Sequence, residues 1–523
     1  MPNRDQLIEA LAGQPEKEWD VVIIGGGSTG LGVALDSLSR GLDTLLLERA
    51  DFSKGTSSRS TKLVHGGVRY LAQGQIDLVR EALRERGLLQ KNAPHLVQNK
   101  TFVIPSYTLF NKWFYTVGLK IYDMLAGSLT LGKSRGISKK ETLKRISTIR
   151  EKGLRGGVTY QDGQFDDARL SVNLVQTCLE KGGILLNYAT VTGLYKENET
   201  VAGVRFTDCE TGNEHLVKGK AVVNATGVFA DDILKMDEPS RPKSIRPSQG
   251  VHLVFEKEFL PGDDAIMIPK TDDGRVLFAV PWHNKVVVGT TDTLVDEYSL
   301  EPVALEHEIE FILETAGRYL QKKPTRNDVK SVFVGLRPLA APTNDSGKTK
   351  EISRSHKVFV TDSGLITITG GKWTTFRKMG EDTVDKAVAL KGLSQSPSRS
   401  EEIRIHGADD HVDFNDPLYF YGTDKEAILS LANEQPDLAG KLHPDYPHIK
   451  AQVVWAAREE MARSVEDFLA RRIRILFLDA QAAMDMAPET ARLMQHELGK
   501  EEGWAKQQIS DFTALATRYL LEP

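Results

Sequence analysis

The clearest pattern of hydrophobic positions lies near the start of the chain. Residues 19–24 are a short run of β-branched and other apolar residues, which predicts a buried parallel strand. A glycine-rich turn follows at 25–30, and residues 31–38 continue in helical register. A second apolar run, 44–47, ends at Glu48. The order strand, glycine turn, helix, strand predicts a βαβ unit.

Three further patterns divide the rest of the chain. Apolar strands that end in small-residue turns recur at 221–227 and 365–371, so the first sheet is expected to come from separate pieces of sequence. Between them, short strands over 251–289 are separated by turn residues and predict an antiparallel sheet. From about residue 397 the strand signals vanish, and charged stretches of helical periodicity at 451–469 and 479–498 predict an all-helical end.

The predicted architecture is α/β, with three domains. The first is a Rossmann-like nucleotide-binding domain, the second carries an antiparallel substrate-domain sheet, and the third is all-α. The expected boundaries are 1–105 with 155–240 and 350–396 for the first, 106–154 with 241–349 for the second, and 397–523 for the third.

Composition narrows the class of protein. Of 523 residues, 40% are apolar and 27% charged, and 67 basic against 72 acidic residues give a net charge of −5. These values exclude a disordered, collagenous or strongly basic nucleic-acid-coating protein. Cys178 and Cys209 are the only cysteines, and no Cys/His cluster has zinc spacing. We therefore expect a reducing compartment and no metal site.

Three features of the sequence bear on membrane insertion, export and membrane attachment. No apolar run approaches the roughly 18 residues of a spanning helix, and residues 1–20 are too charged for a secretory leader, so we expect neither an exported nor an integral protein. Residues 111–132 place apolar and aromatic side chains at helical spacing beside Lys112 and Lys120. This stripe predicts either a helix that lies on a membrane surface or an ordinary helix packed on the core.

The glycine turn is the first candidate for chemistry. Gly25 permits a tight turn, Gly27 lets the backbone approach a pyrophosphate, and Gly30 allows close packing of helix on strand. The helix that follows offers unsatisfied N–H groups and the positive end of its dipole. Glu48, 23 positions after Gly25, is placed to accept hydrogen bonds from ribose hydroxyls. The segment therefore predicts a dinucleotide site.

Longer motifs show a resemblance to one family. They are GGGSTG with Glu48, TSSRSTKLVHGGVRYL at 56–71, DDARL at 166–170, NATG at 224–227, GTTD at 289–292, GLRPL at 335–339 and GGKWTTFR at 370–377. On these residues the chain resembles the FAD-dependent glycerol-3-phosphate dehydrogenases of the aerobic, quinone-reducing type. The resemblance implies non-covalent FAD, oxidation of sn-glycerol 3-phosphate to dihydroxyacetone phosphate, and electron transfer to a membrane quinone.

The resemblance also implies a substrate site. Arg337 and Arg354 match the family's phosphate-binding arginines, and a phosphate dianion suits the paired donors of guanidinium. Arg69 and Tyr70 match positions that line the family's substrate pocket. Lys372 is assigned to the same pocket, where it would also face the negative charge that develops on a reduced flavin.

Hydride removal from C2 also requires a base for the C2 hydroxyl proton. His252, in a predicted strand, and His65, before a glycine pair, compete for this role, and the sequence leaves the choice open; Arg337 is also expected at the reacting atoms. Further cofactor contacts are expected from Ser57, Ser58, Lys62, Gly227, Gly370, Gly371, Thr374 and Thr375.

Other functions remain open from the sequence. A soluble oxidase that passes electrons to oxygen would have the same motifs. A covalent-flavin amine oxidase is disfavoured because neither cysteine lies in a flavin motif, and an RNA-modifying flavoprotein because no basic stripe is present. A flavoprotein without catalysis is disfavoured because the matching polar residues are all present.

The expected setting follows from the same resemblance. We expect a cytoplasmic enzyme, peripheral on the inner face of the cell membrane, that binds no nucleic acid. A homodimer, the quinone site and the role of the N-terminal extension of about 18 residues stay open.

Overall fold

The computed structural model describes residues 2–71, 74–269, 271, 275–340 and 356–522. Within them two sheets carry the architecture, and helices cover both and form the C-terminal part. Strands and helices are numbered below in chain order.

The first sheet has a parallel centre. Its strand order is β17-β18-β10-β1-β2-β7, and from β18 to β7 all neighbours run parallel. β8 and β9 extend it as an antiparallel pair beside β10. Its strands are β1 (Glu18–Ile24), β2 (Thr44–Leu47), β7 (Ile184–Leu186), β8 (Ala189–Glu197), β9 (Thr200–Asp208), β10 (Glu214–Asn224), β17 (Lys357–Val360) and β18 (Ile366–Thr369).

The second sheet is antiparallel except where β12 runs parallel to β4. Its order is β15-β11-β14-β13-β12-β4-β6-β3, with β16 beside β11 and β5 beside β6. Its strands are β3 (Leu63–Val64), β4 (Val97–Ser106), β5 (Arg135–Ile137), β6 (Gly156–Phe165), β11 (Ile245–Glu256), β12 (Ala265–Ile268), β13 (Leu277–Trp282), β14 (Lys285–Gly289), β15 (Thr293–Leu294) and β16 (Val329–Ala340).

The helices follow the predicted division, and from residue 397 onward the described chain is built of helices, turns and loops. The helices are α1 (Arg4–Ala12), α2 (Ser28–Ser39), α3 (Val68–Leu71), α4 (Ile76–Asn92), α5 (Leu109–Ala126), α6 (Lys139–Arg145), α7 (Asp167–Glu180), α8 (Ala230–Asp237), α9 (Glu306–Tyr319), α10 (Phe376–Lys391), α11 (Lys425–Glu434), α12 (Ala451–Glu459), α13 (Ile475–Leu478), α14 (Ala480–Glu497) and α15 (Trp504–Thr517). The predicted fold class, an α/β nucleotide domain with an antiparallel sheet and an all-α C-terminal part, is confirmed.

Three strands that fall in the expected nucleotide domain, β3, β4 and β6, belong to the second sheet. β4 and β6 pair there over ten residues, from Val97 and Phe165 to Ser106 and Gly156. The cause is tertiary: an apolar strand does not reveal which sheet it joins, and β4 reaches the antiparallel sheet only through its pairing with β12. The other domain limits remain a proposal.

The C-terminal helices are not a separate body. Side chains of β1 and β10 belong to the same buried apolar cluster as Phe468, Phe477 and Met486. The predicted helix over 451–469 ends early, at Glu459, and a π-helical turn follows at Asp467–Arg472. The C-terminal part therefore shares its core with the nucleotide domain.

The N-terminal extension forms α1, whose buried Arg4 donates to the carbonyl oxygen of Asn187 at 3.0 Å.

Candidate active site

A cavity of about 650 Å³ is lined by residues of both sheets. The first sheet contributes the ends of β1 and β2, at Ile24 and Leu47. The second contributes His252 and Phe278. The carboxyl ends of parallel strands meet at one edge of an open sheet, which is where such folds bind ligands.

The glycine turn forms one end of the cavity. α2 begins at Ser28 directly after β1, and Gly25 and Gly27 line the cavity. Gly25 has φ +107°, and a Cβ at Gly30 would lie 1.9 Å from the Gly25 carbonyl oxygen, so the helix can approach the strand only with glycine there. The turn thus has the form that accepts a pyrophosphate at a helix N-terminus.

Glu48 is held beside this turn by backbone donors. Its two carboxylate oxygens accept from the N–H of Gly26 at 2.7 Å and of Ala50 at 2.9 Å. Burial raises the pKa of this carboxyl, and the two backbone hydrogen bonds oppose the rise. Gly227, at φ +60°, also lines the cavity. The predicted hydrogen bonds of Glu48 to ribose hydroxyls stay a prediction, and the structure places Glu48 and Gly227 on the cavity wall beside the glycine turn.

The loop after β2 brings Ser57 to the cavity, but the side chains of Ser58 and Lys62 point away from it. The Ser57 hydroxyl accepts from the N–H of Ser28 at 2.9 Å, which joins the loop to the start of α2. Ser58 is fully buried, and no described residue bonds its hydroxyl. Lys62 is buried too, and its ammonium donates to the Asp167 carboxylate at 2.7 Å. Burial lowers the Lys62 pKa and the Asp167 charge opposes this shift.

Ser58 and Lys62 are therefore not among the residues that line the cavity. In the structure Lys62 supports the loop from behind, since its ammonium also donates to the Ser58 carbonyl at 2.7 Å. A direct role of either side chain at the cofactor remains a prediction.

The second glycine pair enters the cavity from β18. Gly370 and Gly371 have φ of +74° and +82°, and both line the cavity together with Lys372 and Thr374. Thr375 lies behind them and donates to the Lys372 carbonyl at 3.3 Å. The exposed backbone of this turn is suited to close approach of a flavin ring.

His65 stands on the cavity wall with a half-buried ring. Its backbone N–H donates to the Thr374 hydroxyl at 3.3 Å, and its ring meets the edge of Phe278 with centroids 6.2 Å apart. Burial lowers its pKa to about 4, so the imidazole is neutral at physiological pH. A neutral imidazole on a cavity wall is able to accept a proton.

His252 is more enclosed. It is 3% exposed, its Nε2 lies 2.9 Å from the Thr61 hydroxyl, and its ring stacks on Phe333. A Cβ at Gly289, its partner on β14, would lie 2.3 Å from the ring, so that glycine makes room for the histidine. Burial, with the Arg337 charge second, holds its pKa well below the usual range. No described residue bonds the buried Nδ1.

Arg337 reaches the cavity from β16. Its guanidinium donates to the Thr291 carbonyl at 3.0 Å and to the Gln249 carbonyl and the Asp292 carboxylate at 3.3 Å. The side chain is 27% exposed, and Thr290, another contact at 3.3 Å, also lines the cavity. The arginine is thus held in place by backbone oxygens and the Asp292 carboxylate, and part of its side chain is exposed.

Of the other predicted substrate residues, some line the cavity, and others, or their side chains, lie outside the described residues. Tyr70 lines the cavity, and the Lys372 ammonium lies 3.9 Å from the centre of its ring. Arg354 and the side chain of Arg69 lie outside the part of the chain that the structure describes. Their roles stay predictions.

Several cavity residues were not predicted from the sequence. Thr56, Arg59, Ser60 and Thr61 were missed although they lie in the motif TSSRSTKLVHGGVRYL, in which Ser57, Ser58, Lys62, His65, Arg69 and Tyr70 were assigned. An apolar wall was missed as well, and no local signal could have found it because its members lie on β3, β6, β12 and β13 and near the start of β13. They are Leu63, Tyr160, Met267, Val276 and Phe278.

α5 presents an apolar face to solvent. Its buried side is anchored by Leu119 and Tyr122, and the Tyr122 hydroxyl donates to Asp162 at 2.8 Å. Met124 is 79% exposed and Leu109 72%. The exposed apolar side chains of α5 are Leu109, Phe110, Trp113, Phe114, Val117, Ile121 and Met124. The helix thus packs on the protein through one side and exposes apolar side chains on the other, and its attachment to a membrane stays a prediction.

None of the helices in the described ranges is both long and apolar enough to span a bilayer. No group of three or more His, Cys, Asp or Glu side chains in those ranges is arranged to hold a metal ion.

Comparison with known proteins agrees with the geometry. A family model described as FAD dependent oxidoreductase matches residues 20–377, and one described as the C-terminal domain of alpha-glycerophosphate oxidase matches residues 384–508. A mitochondrial glycerol-3-phosphate dehydrogenase of Mus musculus is 38% identical over 99% of this chain and 75% of its own length. One from Arabidopsis thaliana is 40% identical, covering 96% of this chain and 86% of its own.

A solved structure extends the comparison to the whole fold. The crystal structure of a glycerol-3-phosphate dehydrogenase from Bacillus halodurans, complexed with FAD, superposes with a TM-score of 0.81. It is 28% identical and covers 100% of this chain and 99% of its own.

Proposed function

Because this chain belongs to the FAD-dependent glycerol-3-phosphate dehydrogenase family, we propose that it oxidises sn-glycerol 3-phosphate to dihydroxyacetone phosphate and passes the electrons to a membrane quinone. FAD is the cofactor, and its non-covalent binding is part of the proposal, supported by the absence of Cys178 and Cys209 from the cavity lining. The observation that carries the proposal is that His65, Lys372 and Arg337 line the same cavity as the glycine turn.

Each of the cavity residues named below has a separate role in the proposed reaction. When bound, FAD supplies the acceptor for the hydride that leaves C2 of the substrate. Arg337 binds the phosphate, because its guanidinium presents paired donors and is already oriented by carbonyl oxygens. His65 accepts the C2 hydroxyl proton as a neutral base. Lys372 supplies positive charge next to Tyr70, where it helps to hold the substrate.

We assign His252 to positioning rather than to proton transfer. Its Nε2 is already bonded to Thr61, and its ring is nearly enclosed, whereas His65 is only partly buried on the cavity wall. Through that bond His252 orients the Thr61 hydroxyl, which lines the cavity. The choice between the two histidines that the sequence left open thus falls on His65.

The acceptor is tested by an anaerobic absorbance titration of the purified holoprotein with glycerol 3-phosphate. We expect the flavin absorbance to bleach, to recover quickly on addition of a soluble quinone analogue and to recover slowly in air. Rapid recovery in air with formation of peroxide would identify an oxidase instead. Absence of bleaching would contradict the proposed substrate.

A membrane quinone requires access to the bilayer, and α5 is the proposed contact. Its exposed apolar and aromatic face suits the boundary between headgroups and acyl chains. Residues 106–155, which surround it, contain eleven Lys or Arg and three Asp or Glu, although the whole chain has a net charge of −5. Positive charge beside an apolar helix favours an anionic lipid surface. The proposed location is the inner face of the cell membrane; a homodimer remains a prediction.

Replacing Trp113 and Phe114 by Ser is expected to release the protein from anionic phospholipid vesicles. The change removes two of the aromatic side chains that would enter the interface, and each contributes by its buried apolar area. Vesicle flotation measures binding, and turnover with a soluble dye should stay unchanged.

The matched control replaces Val303 and Leu305 by Ser. These two side chains are also exposed, at 56% and 41%, but lie outside α5. Equal loss of vesicle binding in both double variants, or unchanged binding of the Trp113 and Phe114 variant, would contradict a membrane contact through α5.

A further inference from the structure

The segment between β2 and β3, residues 48–62, forms one wall of the cofactor cavity, and we call it the cofactor loop. Ser53, Lys54 and Ser57 are among its cavity-lining residues. Its regular structure is limited to one short 3-10 turn, Thr56–Ser58. One backbone bond, from Ser53 N–H to the Gly26 carbonyl at 3.0 Å, ties it to the glycine turn. Other backbone bonds hold its ends, among them Tyr188 N–H to the Ala50 carbonyl and Phe165 N–H to the Lys62 carbonyl, both at 3.0 Å. Side chains therefore set much of the position of the part between these ends.

The rear of the cofactor loop is held by the C-terminal part of the chain. Asp51 is fully buried and accepts from Arg471 Nε at 2.5 Å and from Arg472 Nη1 at 2.7 Å. The Lys54 ammonium donates to Glu466 at 2.6 Å, and Glu466 also accepts from Arg471 at 2.9 Å. The acidic and basic side chains thus form one continuous network across the loop and the C-terminal part.

The partners in the C-terminal part lie in and beside the π-helical turn Asp467–Arg472. Such wide turns are rare and occur often at functional sites. Here the turn directs two consecutive arginines, Arg471 and Arg472, at the single carboxylate of Asp51. Asp467 also accepts from Arg471, at 2.7 Å. The backbone of the turn Asp467–Arg472 therefore brings both guanidinium groups to the Asp51 carboxylate.

Buried ion pairs of this kind fix geometry more reliably than they add stability. Desolvation offsets much of the attraction between the charges, but a displaced partner would leave a buried charge uncompensated. The cofactor loop consequently has one favourable position relative to the C-terminal part, and that position brings Ser57 to the N-terminus of α2.

We propose that the C-terminal part acts as a positioning element of the cofactor site, holding the cofactor loop through Glu466, Arg471 and Arg472 so that FAD is retained. Neither Glu466 nor the two arginines line the cavity, so they act through the loop. The inference uses FAD binding alone and does not depend on the substrate or the acceptor.

Other contacts keep the C-terminal part in place independently of this network. Arg169 donates to Glu460 at 2.7 Å with both side chains fully buried, and the Ser331 hydroxyl donates to the Leu476 carbonyl at 2.8 Å. Loss of one tie to the loop should therefore loosen the loop while the C-terminal part stays attached.

The test is the Glu466→Gln variant, read out by FAD release. The change removes the charge that pairs Lys54 and Arg471, and the rate at which flavin fluorescence appears after dilution of the holoprotein is expected to rise five- to tenfold. Lys54→Met breaks the same ion pair from the loop side and is expected to act in the same direction. Because both changes break the Lys54–Glu466 ion pair, the double variant should release FAD no more than about twofold faster than the faster single variant.

Glu489→Gln is the matched control. Glu489 also pairs with a lysine and an arginine, Lys450 at 2.7 Å and Arg492 at 2.7 Å, but within the C-terminal part and away from the loop. We expect its FAD release rate to stay within twofold of the unchanged protein. Equal acceleration of release in both variants, or an unchanged rate in Glu466→Gln, would overturn the proposal.

Discussion

His65→Gln is expected to lower kcat by about 100- to 10,000-fold, the range typical for loss of a general base. Glutamine keeps a similar size and a polar end but does not accept the proton of the C2 hydroxyl. Because phosphate binding is left intact, KM for glycerol 3-phosphate should change little. Steady-state turnover with a soluble quinone analogue measures the effect, and the flavin absorbance of the purified variant shows that FAD is still bound.

His252→Gln is the comparison that separates the two histidines. Its Nε2 already bonds Thr61, so we expect a smaller loss of kcat, through disorder of the Thr61 hydroxyl. A larger loss in His252→Gln than in His65→Gln would transfer the role of base to His252.

The pH dependence of turnover follows from the burial of His65. The His65 pKa is lowered to about 4, so the neutral form persists below the ordinary histidine value of about 6.5. The acid limb of kcat/KM should therefore have its midpoint near pH 4 rather than near 6.5, and it should be absent in His65→Gln. The same pKa shift affects stability. Because the unfolded chain binds the proton more readily than the folded one, His65 lowers the free energy of unfolding as the pH falls below about 6.5.

Arg337→Ala is expected to reduce kcat/KM for glycerol 3-phosphate by about 10- to 100-fold, which corresponds to the roughly 1.5–3 kcal/mol of one charged hydrogen-bonded contact. The loss should appear mainly in KM, because the phosphate is bound alike before and during hydride transfer. Unphosphorylated glycerol has no group for this arginine, so its much weaker oxidation should change little. Parallel kinetics on the two substrates measure the difference.

Two further variants define the role of Arg337. Arg337→Lys keeps the charge but not the paired donors, and should recover part of the loss. Arg246→Ala removes an arginine on the neighbouring strand β11 that does not line the cavity, and should leave both substrates unaffected. Equal losses on glycerol and glycerol 3-phosphate in Arg337→Ala would make the arginine structural.

The cofactor end of the site was predictable because its determinants are local. Gly25 and Gly30 require particular backbone geometry within one turn, and Glu48 follows at the end of the next strand. The amphipathic pattern likewise predicted a helix at α5, yet only the packing of Leu119 and Tyr122 decides which of its faces is buried. A pattern of apolar positions describes a face without saying what covers it.

The sequence by itself determined the βαβ unit, the order of sheets and helices and the family, since these rest on short-range periodicity and on residues that adjoin in the chain. Only the tertiary structure decided that β4 and β6 join the second sheet, that Lys62 faces Asp167 rather than the cavity, and that Arg471 and Arg472 meet Asp51. The reason is physical: strand pairing, burial and charge pairing depend on distances between segments far apart in sequence, and about 420 residues separate Asp51 from its arginines.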